Sequence, residues 1–290
     1  MFCQILSVLE EIVVLWFLSD SLMECYVDKI KTNRDITTDI KLLIPDAALR
    51  RRMSHIVKTA VATAVECLDG VDTISSLDAI ITATGWGCLE DSERFLRNFI
   101  VNNEKLLNPT PFIQSTFNTV GSQIALLKHN HCYNVTFVNR SHSFEDALLD
   151  AMMHIADGAS NRILLGAFDE QTPSQHRIME RMGLFRNIQD GAGVVFTLIT
   201  AQKSERSIAR VTAIDFPNHG LTESECMKYA SSDNAILLYN VFSRYGLFPI
   251  ASAFCFAEAI DLIRQCKQEV IVYNEYLGAT PTIVRLQCIG

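Results

Sequence analysis

Between Asn134 and Glu170 the sequence NVTFVNRSHSFEDALLDAMMHIADGASNRILLGAFDE changes its hydrophobic period twice. Val135 and Phe137, with the β-branched residues around them, make a short apolar run suited to a buried strand. Arg140-Ser141-His142-Ser143 reads as a sharp turn. Phe144, Ala147, Leu148, Ala151, Met152 and Ile155 then recur at steps of three and four, which is one face of a helix. Ser143 followed by Asp146 has the spacing of a capping box, and Asp157-Gly158 supplies a glycine stop. Ile163-Leu164-Leu165-Gly166 enters a second buried strand. A helix between two such strands predicts a parallel βαβ unit, and so an α/β protein.

That stretch resembles the nucleophile region of β-ketoacyl synthases, the condensing enzymes of the thiolase superfamily. Counting back from Gly158, with Gly166-Ala167-Phe168-Asp169 as anchor, the family's nucleophilic cysteine falls on Ser141. Further segments carry the same resemblance in order: RRMSHIVKTA, NPTPFIQSTFNTVGSQIA and GAGVVFTLIT, over roughly residues 45 to 200. FPIASAFCFAEAIDLI and VIVYNEYLGATPTIVRL resemble the family's carboxyl-terminal end. The chain looks closest to ketosynthase-like and chain-length-factor-like proteins of bacterial aryl-polyene and flexirubin-type pathways. The resemblance implies a thiolase-like layered α-β-α-β-α fold of two similar halves, each a five-stranded mixed sheet, with the second half shortened. It divides the chain into an amino-terminal segment at 1–44, a first half at 45–217 and an abbreviated second half at 218–290.

Decarboxylative condensation needs a nucleophile to carry the acyl group, two basic side chains and backbone donors for the oxyanion. A helix N-terminus helps a thiol ionise, whereas a serine hydroxyl there still requires an adjacent base. His142 neighbours Ser141, but consecutive residues around a tight turn generally point apart. The family's first histidine loop is matched only by Asn218-His219-Gly220-Leu221-Thr222, which reads as a surface turn. Its second histidine has no counterpart at Ile250-Ala251-Ser252-Ala253, and its glycine-rich terminal loop is reduced to Asn274-Glu275-Tyr276-Leu277-Gly278. The resemblance therefore implies a catalytically silent subunit of fatty-acid or polyketide-type biosynthesis. Its expected partners are a catalytic ketosynthase in a heterodimer, or a second copy of itself, and an acyl carrier protein. Two alternatives stand beside it: an acyltransferase with Ser141 as nucleophile, and a structural homodimer with no acyl ligand. The strand Asn134 to Asn139 is the expected dimer edge, and Phe117, Val135, Phe137, Phe144 and Met152 are candidates to line a tunnel or interface. Arg50, Arg51 and Arg52 form a positive patch suited either to a solvated helix face or to an acidic carrier protein.

Composition narrows the remaining classes. The net charge of −8 argues against general nucleic-acid binding. Nine cysteines without paired spacing read as reduced thiols in a cytoplasmic protein. The apolar run FCQILSVLEEIVVLWFLSDSLMEC is interrupted by acids and reads as an element of the core, with no membrane role. His129, His131 and His154 lack a third ligand at metal spacing, and no phosphate-binding loop is present, so neither metal nor cofactor is expected. Helices are also predicted from Pro45-Asp46 through Leu68, from about Ser115 to Asn130, over Asn234 to Arg244 and over Ile250 to Gln265. EVIVYNEY and PTIVRLQC are predicted to close the chain as a strand pair.

Overall fold

A computed structural model describes residues 24–239 and 241–289. The expectation for the apolar amino-terminal run falls almost wholly on residues 1–23, outside the described residues. Among the described residues nine strands form one sheet: β1 (Cys25–Thr32), β2 (Ala79–Ala83), β3 (Tyr133–Phe137), β4 (Arg162–Asp169), β5 (Gly193–Thr200), β6 (Ala209–Asp215), β7 (Ile236–Leu238), β8 (Val270–Asn274) and β9 (Thr282–Cys288). Their order is β3-β2-β4-β5-β1-β6-β9-β8-β7. The principal helices are α1 (His55–Cys67), α2 (Leu89–Val101), α3 (Thr119–Leu126), α4 (Ser143–Ala156) and α5 (Ala251–Cys266).

The strand-helix-strand unit is present as β3-α4-β4. Both strands run parallel to β2, which lies between them. Sheet and helices interleave because alternate side chains of each strand face opposite ways. On β4, Ile163, Leu165 and Ala167 join a core with α4 and α5, while Leu164 and Phe168 join a second core with α1 and α3. The first core lies between the halves, where Phe144 of α4 meets Phe256 of α5 edge to face at 5.3 Å. A third, smaller core on the outer face of the second half gathers Leu221, Cys226, Ile271, Tyr273 and Ile283. The layers are therefore α-β-α-β-α, and the last helical layer is reduced to the short helix Glu223–Cys226 and its loop.

The two halves join along one edge, where Cys25, Tyr26 and Val27 of β1 pair with Val211, Arg210 and Ala209 of β6. Five strands lie on the first side of that seam. Four of the described strands lie on the second, where the family pattern implies five. Gly166 has a packing reason to be glycine: a Cβ there would lie 2.1 Å from the ring of its cross-strand partner Phe196.

Several predicted elements differ in detail. The helix expected from Pro45 to Leu68 is two, Ala47–Arg52 and α1, separated by extended Met53. Asp46 caps the first through the amides of Ala48 and Leu49. The helix expected from Ser115 starts at Thr119, and Pro109–Gln114 forms a separate helix capped by Asn108. Asn234 to Arg244 is not one helix. Ile236–Leu238 pairs parallel with β8, and only Val241–Tyr245 is helical. Tertiary pairing overrides local preference in so short an apolar run. The terminal pair is antiparallel β8–β9, as the pattern predicts.

Candidate functional site: the turn at Ser141

Where β3 ends, the chain turns through a single 3-10 turn, Arg140–His142, into α4. The left-handed residue of this turn is Arg140, at φ 47°, and not Ser141. Ser143 does not form the expected capping box. Its hydroxyl accepts from the amide of Asn139 at 2.9 Å and shares its proton between the carbonyls of Arg140 at 2.8 Å and Thr84 at 2.9 Å. Asp146 instead accepts from the side-chain amide of Asn139 at 2.9 Å. The hydroxyl thus ties the turn to the end of β2 rather than to its own helix.

The end of β4 organises the other side. Asp169 is fully buried, and its Oδ1 accepts from Thr84 Oγ1 at 2.8 Å, Gly85 N at 2.9 Å and Trp86 N at 2.8 Å. Its Oδ2 accepts from Ile250 N at 3.2 Å, at the start of α5. Burial pushes the Asp169 carboxyl up to about 6, and these donors oppose the rise. Next to it, burial pushes Glu170 up to about 7, while Glu170 accepts from the amide of Glu90 at 2.8 Å. Gly85 touches the second half directly: a Cβ there would meet Pro249 at 2.2 Å and the Arg140 carbonyl at 3.3 Å. Leu247, Phe248 and Ile250 around that proline are buried, as are Ala251, Ser252 and Ala253, so the place of the second histidine holds no basic side chain.

Ser141 itself is 4% exposed. Its carbonyl accepts from Asn274 Nδ2 at 3.1 Å, and no hydrogen bond from its hydroxyl to a described residue is present. His142 turns away: its Nε2 bonds the Thr280 carbonyl and its ring meets the edge of Phe216 at 6.0 Å. Its ring is bonded to the terminal loop and makes no hydrogen bond to Ser141 among the described contacts. His219 is exposed on a loop fixed to the outer face of β8, where Leu221 bonds the hydroxyls of Tyr273 and Tyr239. Asn274, one residue after Tyr273, projects to the opposite, inner face.

Beneath the turn lies a residue that the sequence reading passed over. Glu145 is 0% exposed, and its Oε1 accepts from Asn274 Nδ2 at 3.0 Å and Thr282 Oγ1 at 3.1 Å. Burial pushes its carboxyl up, with the donors Asn274 and Thr282 drawing it partly back. A signal was available, because position 145 stacks with Leu148 and Met152 on the inward face of α4.

The structure brings four of the five tunnel candidates together. Phe144 and Met152 are buried in the central core, and Val135 and Phe137 pack half-buried against it. Phe117 is apart and 46% exposed, with its ring over Gly87. Of the three arginines, Arg50 folds back onto the carbonyls of Ile44 and Pro45, leaving Arg51 and Arg52 exposed. A cavity of about 620 Å³ lies elsewhere, between Arg34, Gln189, Asp190 and Arg244, and Ser141 does not line it. Among the described residues there is no His, Cys, Asp or Glu cluster able to hold a metal, and no helix long and apolar enough to cross a membrane.

A layered sheet of two unequal halves, with a turn between β3 and α4 at their junction in which Ser141 and Ser143 are buried, defines a thiolase-like ketosynthase fold. Residues 30–235 match the family model of the beta-ketoacyl synthase N-terminal domain, and the chain belongs to that family. No curated protein matches it by sequence. Among solved structures it is similar to the ishigamide ketosynthase/chain length factor, at 15% identity and TM-score 0.70, covering 88% of this chain and 86% of that one. It is similar to a chain of AntDE:AntF, a type II polyketide acyl-carrier protein in complex with its ketosynthase, at 12% identity and TM-score 0.73, covering 92% and 99%. It is also similar to the ketosynthase ApeO in complex with its chain length factor ApeC from Xenorhabdus doucetiae, at 14% identity and TM-score 0.58, covering 91% and 99%. At such identities the likeness establishes a shared fold.

Proposed function

We propose that this chain is a non-catalytic, chain-length-factor-like ketosynthase subunit acting in acyl chain biosynthesis of the fatty-acid or polyketide type. The observation that carries this reading is the condition of residue 141. Serine stands where the resemblance puts the thiol, the residue is 4% exposed, His142 is bonded elsewhere, and the second histidine's place holds Ile250, Ala251, Ser252 and Ala253, none of them a base. A hydroxyl without an adjacent base is a poor nucleophile. The acyltransferase alternative needs such a base, and no contact observed here favours it.

The proposed partner is a catalytic ketosynthase, joined along β3, with a second copy of this chain as the competing form. Among the described residues β3 is an edge strand paired only with β2, and an edge of this kind offers backbone groups to another chain. Val135, Phe137, Phe144 and Met152 would then form the apolar wall behind the interface, and Arg51 and Arg52 would meet an acidic acyl carrier protein. We also retain the division of the folded chain near residues 217 and 218, supported by the end of β6 at Asp215. The testing experiment mixes the purified chain with acyl- and malonyl-carrier proteins, alone and with a ketosynthase encoded beside it. Product only in the mixture, with stable co-purification of the two subunits, is the expected result. Condensation by the chain alone would reject the reading.

A further inference from the structure

The polar groups under the Ser141 turn come from both halves and form a closed set. Glu145 lies in the first turn of α4, Ser252 in the first turn of α5, Asn274 ends β8 and Thr282 begins β9; all four are buried. Asn274 Nδ2 serves two acceptors, the Ser141 carbonyl at 3.1 Å and Glu145 Oε1 at 3.0 Å. Thr282 Oγ1 reinforces the same carboxyl oxygen at 3.1 Å. Three further atoms, Glu145 Oε2, Ser252 Oγ and Asn274 Oδ1, are buried without a hydrogen-bond partner among the described residues. A buried carboxyl so incompletely satisfied costs stability, and packed apolar groups in its place would cost less. Its geometric effect is to fix the rotamer of Asn274, which grips the backbone of residue 141.

Resting on the silent-subunit reading, we propose that Glu145 is a positioning residue that keeps the 139–143 turn closed. Through Asn274 it holds the Ser141 carbonyl and so fixes the backbone of the turn around a residue that is 4% exposed. Two features then exclude acyl transfer here: the missing thiol, and a turn that would bury a thiol if one were restored. The helix N-terminus favours a thiolate at this position, but burial in a closed turn opposes it.

The test introduces Ser141→Cys as a probe and measures alkylation by iodoacetamide, in which a thiolate forms a C–S bond and releases iodide. Cys266 is exposed and provides a reference in the same molecule, with each site followed by peptide mass mapping. In Ser141→Cys alone, the introduced thiol should react at least about tenfold more slowly than Cys266. Adding Glu145→Ala should bring the two rates within about threefold. Adding Glu145→Gln should leave the introduced thiol slow, because the amide oxygen still accepts from Asn274 and Thr282. If Glu145→Ala does not fold, Asn274→Ala in the same background releases the same carbonyl and should accelerate alkylation. A fast introduced thiol in the single variant, no acceleration in the alanine variant that folds, or an equally fast glutamine variant overturns the proposal. None of these rates involves a carrier protein or a ketosynthase, so failure of the silent-subunit reading would be seen separately, as acylation of the unaltered chain.

Discussion

Asp169, at the end of β4, accepts a hydrogen bond from the backbone amide of Ile250, 3.2 Å away at the start of α5. One carboxylate thereby joins the first half of the molecule to the helix that opens the core of the second. The same group holds the Thr84 hydroxyl and the amides of Gly85 and Trp86. Asp169→Ala leaves these buried donors without an acceptor, and the expected loss is roughly 3–5 kcal/mol. Asp169→Asn should also destabilise, since its NH2 would confront donors. Urea melts check both, and a loss below about 1 kcal/mol for alanine contradicts the assignment.

Glu170 gives a pH dependence of defined sign. An unfolded carboxyl of this kind titrates near 4.5, and in the folded chain burial pushes it up to about 7. The folded state therefore favours the protonated form. That contribution is complete below pH 4.5 and is lost as pH rises through about 7. Glu170→Gln keeps an acceptor for the Glu90 amide without the ionisable group. Relative to wild type it should be near neutral at pH 4 and more stable at pH 8, by on the order of 1–2 kcal/mol after allowance for partial solvent contact. Thermal melts across that range measure it. A variant less stable at pH 8 than at pH 4, relative to wild type, would be the wrong sign.

Much of this architecture is legible in the residues themselves. The apolar faces of α4 and α5, the continuous run of β2 and the glycine that ends α4 at Gly158 (φ 68°) follow from periodicity and backbone freedom. Residue 141 could be placed at the strand-to-helix turn because its spacing from Gly158 is a local property. What escaped is what only long-range packing decides. Ser143 has the spacing of a cap, but Thr84, distant in sequence, supplies a carbonyl that its hydroxyl bonds instead. Ile236–Leu238 becomes a strand because β8 is there to pair with it. Glu145 reads as a first-turn acid at a helix N-terminus, and its burial depends on β8 and β9 closing over it.

The edge strand makes a separable prediction about association. Val135 and Phe137 point into the central core, so charges there would disturb folding as well as pairing. Tyr133 and Val138 are better probes, being 42% and 41% exposed at the same edge. Tyr133→Glu with Val138→Glu should weaken self-association or ketosynthase binding by about tenfold or more, through desolvated charge at the interface. The melting temperature of the isolated chain should fall modestly, because Tyr133 loses its ring contact with His154, 4.3 Å between centroids, while Val138→Glu alone should leave it nearly unchanged. Analytical ultracentrifugation of the variant and wild type, with and without the ketosynthase, distinguishes the cases. Unchanged association would place the interface away from β3.

The last prediction separates the silent subunit from the acyltransferase. In the unaltered chain the hydroxyl at 141 has no base bonded to it, His142 being held by the Thr280 carbonyl, and the side chain is almost wholly covered. Attack on a thioester would require deprotonation of an alcohol inside the protein, with the resulting oxyanion stabilised only by whatever the turn supplies. Loss of a base partner alone commonly costs several orders of magnitude in such reactions. Incubation with acyl-carrier protein should therefore give no mass increase on the intact chain over hours, and Ser141→Ala should be indistinguishable from wild type in supporting a ketosynthase partner. An acyl adduct that forms within minutes on wild type and vanishes in Ser141→Ala would make residue 141 a working nucleophile and overturn the silent-subunit assignment. If Ser141→Ala instead weakens the partner's product formation with no adduct on wild type, the serine acts through the shape of the turn.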